Sequence, residues 1–229
     1  MTDPPAPVSG WSETLTSGSP KHGGAGYHLC MSGEAAIDGE SVEVQITTAA
    51  YHEAGHIVVA AALGLSLRPE GIMIGEDGKG FACYWKEPDL TDSSVEANVL
   101  ASFAGFCAEK RLRSIRGFQP REYLGVMWSA DWKEARALEA KLSNAYLGEK
   151  SIPTVHEELE AKADEIVAQY WPAIEKVAEI LLTRNWEPKK AFESGTEWSE
   201  SANAKYITGE ELVAVVVGLG ISAQVMATR

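Results

Sequence analysis

At 229 residues, 45% of them apolar, the chain is long enough to bury one substantial core, and its formal charge of -13 surrounds any site with acidic surface. That balance disfavours nucleic acid as a partner, because phosphate backbones are held by Lys and Arg. The three cysteines, Cys30, Cys83 and Cys107, have no C-x-x-C spacing and suggest neither a disulfide framework nor a thiolate metal cage.

Residues 1–45 are rich in Pro, Gly, Ser and Thr without sustained periodicity, the pattern of a disordered N-terminal arm, either a plain tail or a substrate-like or partner-binding segment. His22 and His28 fall in it and are poor ligand candidates. The arm has no basic start followed by an apolar core. The longest apolar runs, Ile57–Leu63 and Leu212–Leu219, are far short of the roughly 18 residues that span a bilayer. The expectation is a cytoplasmic chain with no membrane span, folded over residues 46–220, with a flexible tail at 221–229.

The folded part opens on AAYHEAGHIVVAAALG, apolar almost all round and therefore a buried helix, with Thr47 or Thr48 as its expected cap and Gly64 at its end. Two strand-like runs, EGIMIG and GFACYW, flank an Asp-Gly turn signal and predict a hairpin within residues 68–87. Helical spacing returns over Ser93–Arg113, then over Ser129–Leu147, then over a long amphipathic stretch, Val155–Arg184, that Pro172 should kink or split. A polar loop with tryptophans, residues 187–205, precedes Thr208 and Glu211, a capping box that starts a last helix through Val217. The apolar Leu212–Leu219 should pack on the core, a subunit contact being the other use for it. The expected class is mainly α with a small β-hairpin or sheet after the first helix.

The chemistry concentrates in His52-Glu53-Ala54-Gly55-His56. Residues four apart on a helix share a face, so both imidazoles converge on one point with Glu53 beside them, the H-E-x-x-H arrangement of zinc hydrolases. Zinc on three protein groups keeps a fourth position for water and lowers that water's pKa from about 15.7 toward about 7. Glu53 would take the proton and pass it to the leaving amine. A coincidental match is the competing reading, but two imidazoles and a carboxylate in an otherwise apolar helix are costly to bury without a partner, and a metal is one. Two His need a third ligand. Spacing does not choose among the downstream acids and His156, which starts an amphipathic helix where a solvated imidazole is expected.

The phrase AAYHEAGHIVVAAALG resembles the zinc helix of the peptidase domain of FtsH-type AAA proteases, and the resemblance continues in order over residues 44–217. EGIMIGEDGKGFACYW is similar to the strand pair after that helix, and VLASFAGFCAEKRL to the family's Gly-Gly-Arg-Ala-Ala-Glu-Glu helix. SADWKEARAL resembles the helix that carries an Asp, and HEELEAKADEIVAQYWPAIEKVAEILL with ITGEEL the closing helices. The resemblance implies a helical zinc metallopeptidase fold with Asp131 as third ligand beside His52 and His56. It also implies that Gly80, Phe81, Ala82 and Cys83 form an edge strand to which an extended substrate adds by main-chain hydrogen bonds.

Phe106 stands where the family helix has Arg, and MWSAD replaces its Thr-Gly-Ala approach to the Asp, which alters the substrate pocket and subunit contacts. No stretch corresponds to the family's ATPase module or membrane anchor. The implied activity is therefore an ATP-independent endopeptidase acting on peptides or unfolded proteins, alone, as a homo-oligomer or beside a separate unfoldase. The alternative is a non-catalytic zinc-binding regulatory or interaction module derived from such a peptidase. Retention of Glu53 favours catalysis, since a structural site needs the histidines but no base.

Overall fold

The structure is a computed structural model that describes residues 29–32, 40–85, 91–120, 130–190 and 201–225. In chain order these form β1 (Leu29–Ser32), α1 (Val42–Ala62), β2 (Leu67–Gly75), β3 (Gly80–Tyr84), α2 (Asp92–Arg116) and α3 (Ala130–Glu139). Then come α4 (Asn144–Leu147), α5 (Ile152–Gln169), α6 (Trp171–Thr183), β4 (Glu187–Pro188), β5 (Asn203–Ile207) and α7 (Gly209–Gly218). The expected mainly helical class with a small sheet is what the chain adopts. The sheet is antiparallel throughout, in the order β1-β3-β2-β5-β4.

α1 begins earlier than its threonines suggest. Ser41 is the cap, its side chain accepting from the Val44 amide, while the Thr47 and Thr48 hydroxyls donate back to the carbonyls of Glu43 and Val44 at 2.8 and 2.9 Å. A hydroxyl bonded to the preceding turn satisfies itself inside a helix and does not end it. From Thr48 to Ala61 every residue is buried, because α2 and α6 pack on the helix and β2 and β3 lie against it. The near absence of a polar face in the sequence has this cause. A Cβ on Gly55 would meet the Ala104 carbonyl at 2.6 Å and the Ala108 Cβ at 2.7 Å, so a glycine is what lets α1 and α2 approach so closely.

Four expectations need correction. The presumed arm supplies β1, which pairs with β3 from Leu29↔Cys83 to Ser32↔Gly80. Residues 1–28, with His22 and His28, and residues 33–39 lie outside the described residues. The single helix expected over 129–147 is two: Ser143 donates its amide and hydroxyl to the Asp92 carboxylate at 2.8 and 2.5 Å, and its Oγ caps α4. The stretch read as a polar loop contains β4 and β5, and β5 joins β2 from Ile72↔Ile207 to Gly75↔Ala204; its residues 191–200 are not described. The tail is packed through Val225, which bridges to Leu67, with Ile221 buried; residues 226–229 are not described.

Pro172 acts as expected. It sits in the first turn of α6, where a missing N–H costs nothing, and Tyr170 marks the break from α5. The Thr208–Glu211 capping box starts α7, which buries Leu212 and Val216 and leaves Val217 and Leu219 exposed. No described helix is long and apolar enough to cross a membrane.

Candidate metal centre

α1 presents His52 and His56 on one face, their rings edge to face with centroids 4.8 Å apart. α3, packed on α2, delivers Asp131 from its first turn. Asp131 Oδ2 lies 3.0 Å from His52 Nε2 and 3.4 Å from His56 Nε2. One ligand atom from each residue falls within 4.8 Å of the others, and all three side chains are buried. Two residues of one helix and one 75 positions beyond His56 thus meet at a point, a group that can hold a metal ion.

The tautomers favour a cation there. His56 Nδ1 is 2.7 Å from the Ala101 carbonyl, an acceptor only, so this nitrogen carries a proton and Nε2 is the atom turned toward Asp131. Nε2 faces a carboxylate oxygen, and both it and Asp131 Oδ1 are buried without a hydrogen bond. Acceptors gathered in a dry site are destabilised unless a proton or a metal stands among them. In the metal-free protein His52 takes that role. Burial disfavours its charge, but hydrogen bonds to Asp131 and Glu109 outweigh this and raise its pKa well above the ordinary value. Burial would likewise raise the pKa of Asp131, yet the neighbouring His56 and His52 imidazoles hold its carboxyl well below the usual range.

A second layer fixes His52 from behind. Its Nδ1 is 3.4 Å from Glu109 Oε2, and Glu109 Oε1 accepts from Arg113 Nε at 2.7 Å. Arg113 in turn donates to both carboxylate oxygens of Glu40, at 2.6 and 3.1 Å. A carboxylate on the remote nitrogen of a ligating His sets its tautomer and raises its basicity. Glu109 has no role in the sequence reading, because α2 is read there as an apolar face. An acid and an arginine four apart on that face were the signal for it.

Space for an ion is made by Gly105 of α2: a Cβ there would lie 2.3 Å from His56 Nε2 and 2.6 Å from His52 Nε2. Glu53 is fully buried beside the pair and rests against the β3 backbone, where a Cβ on Gly80 would come within 2.5 Å of Glu53 Oε1. Its carboxylate therefore reaches the strand that borders the centre.

Gly80, Phe81, Ala82 and Cys83 are all buried in β3. Ala82 belongs to the main core, while Phe81 and Cys83 join Met73 and Ala204 in a small cluster on the opposite face. The open edge expected of this strand is taken, since β1 pairs along it. His156 is neither a ligand nor solvated. It is buried between the rings of Phe103 and Trp132, with Nδ1 2.7 Å from Glu139 Oε1, because the first turn of α5 packs under α3.

Fold and site together define a mainly helical protein with a small antiparallel sheet and a buried His52–His56–Asp131 group able to hold a metal ion. The chain matches no protein-family model and no curated protein.

Proposed function

We propose that this chain is a zinc-dependent, ATP-independent metalloendopeptidase of the FtsH peptidase type, hydrolysing peptide bonds in peptides or unfolded proteins. The observation that carries this reading is the placement of Glu53 between two ligand-competent imidazoles, in the same turn of α1, with Asp131 closing the set at 3.0 Å from His52. Two neutral imidazoles and one carboxylate are a donor set that suits zinc and leaves it an open position. Bound there, zinc would supply an acidified water and polarise the scissile carbonyl.

The chain's own residues have separate tasks. His52 and His56 give Nε2, their other nitrogens held by Glu109 and by the Ala101 carbonyl. Asp131 gives a carboxylate oxygen and balances charge. Glu53, fully buried beside the two imidazoles, takes a proton from the attacking water and hands it to the leaving nitrogen. β3 runs past Glu53 and would align an extended peptide main chain only along the edge that β1 now takes.

The test is elemental analysis of the purified chain beside cleavage of casein, with Glu53→Gln as control. One zinc per chain with cleavage that falls at least about a hundredfold in Glu53→Gln supports the peptidase. Zinc without any cleavage moves the reading to a non-catalytic binding module, and no metal under zinc-replete conditions sinks both.

A further inference from the structure

β1 lies along the strand against which the Glu53 carboxylate rests. It runs antiparallel to β3 with Ser32 opposite Gly80, the residue whose backbone touches the Glu53 carboxylate. It also contacts α1, which carries Glu53 and the His pair, and α3, which carries Asp131, so one short strand touches both helices of the centre. On its other side β3 is paired with β2, so the edge that β1 takes is the one remaining place on this strand for a further chain to add. With β1 in place the main-chain groups of that edge are saturated; without it they are open to another extended chain.

The segment is also fixed just downstream. Eight residues after Ser32, Glu40 is clamped by Arg113, which holds Glu109 against His52. A segment joined to its own docking edge by so short a connection has an effective concentration on the order of millimolar, above that of most free competitors. We infer that Leu29–Ser32 is a built-in occupant of a peptide-docking edge, holding the metal centre closed to other extended chains until it is displaced. The inference rests on the peptidase reading for its consequence, regulation of cleavage, and on the β1–β3 pairing alone for the docking edge.

Two experiments on the full chain decide it. Successive N–H groups of a strand point to opposite sides, so Cys30→Pro with Met31→Pro removes whichever amide faces β3. In a Glu53→Gln background, a fluorescein-labelled peptide of residues 27–34 should bind the proline variant at least about tenfold more tightly than the chain with native β1, the penalty of a closed edge being removed. Equal binding overturns the inference. In a Cys30→Ser background, Leu29→Cys stands opposite Cys83 in the register. Oxidation should form that disulfide and abolish peptide binding, and reduction should restore the weak binding of native β1; peptide binding unchanged by the cross-link overturns the inference.

Casein cleavage with Glu53 present separates the two readings. Faster cleavage by the proline variant supports both. Tighter peptide binding with no cleavage by either form leaves the docking edge standing and removes the peptidase. Equal cleavage with equal peptide binding overturns the inference and leaves the peptidase standing.

Discussion

Gly105 faces His56 so closely that a single methyl at its Cα would stand 2.3 Å from Nε2, inside the contact distance of any two atoms. Neither imidazole can step aside cheaply, since His56 is bonded to the Ala101 carbonyl and His52 is backed by Glu109. Gly105→Ala should therefore fold but bind zinc at least about tenfold more weakly, the scale of a disturbed second layer. Competition with a chromophoric chelator, read beside circular dichroism, checks it; native affinity would mean that the metal does not sit between the rings and α2.

Glu109→Gln keeps the shape of the side chain and removes the charge behind His52. Zinc affinity should fall about 10–100-fold while metal remains bound at saturating zinc. Asp131→Ala should do more, because it takes away a donor, and the stoichiometry at micromolar zinc should drop below one per chain. Equal affinities for the two variants would place Asp131 outside the ligand set.

The metal-free protein should lose stability as the solution becomes alkaline. Burial lowers the pKa of His52, but Asp131 and Glu109 raise it further, so the folded value lies well above 6.5. A raised folded pKa gives stabilisation that is fully present below 6.5 and is lost as pH rises through the folded value, because only the folded state still holds the proton. Chelator-treated protein should melt at progressively lower temperature above about pH 6.5, while zinc-loaded protein, whose His52 is already deprotonated, should not. Parallel pH dependences for the two forms would remove His52 from the site.

Glu139 and His156 bolt α3, and with it Asp131, onto α5. Glu139 is fully buried and also accepts from Arg136 at 3.0 Å. Glu139→Ala should cost about 1–3 kcal/mol by leaving His156 among Phe103 and Trp132 without its partner. It should weaken zinc binding as well, since α3 loses its anchor. Urea unfolding with zinc titration checks both; a loss of stability with unchanged zinc affinity would confine the pair to folding.

Much of the helical framework was legible because it is written in local chemistry. The all-round apolar α1, the Thr208–Glu211 box and the break at Pro172 each depend on neighbours within one or two turns. The errors fall where a distant residue decides. Ser143 breaks a helix because Asp92, on another element, takes its amide and hydroxyl. Asn203–Ile207 becomes a strand because β2 offers it a partner, not because its own pattern is strong.

The sequence by itself determined the two imidazoles and the carboxylate on one turn of a buried helix, because a 3.6-residue period fixes which side chains share a face. Asp131 came by resemblance, and only tertiary structure brought it within 3.0 Å of His52. Tertiary structure alone set Glu109 behind His52, aimed Gly105 at the rings, turned His156 inward and laid β1 along β3. Each of these is a meeting of residues far apart in the chain, and such meetings are fixed by how whole helices and strands pack rather than by the spacing of residues along one of them.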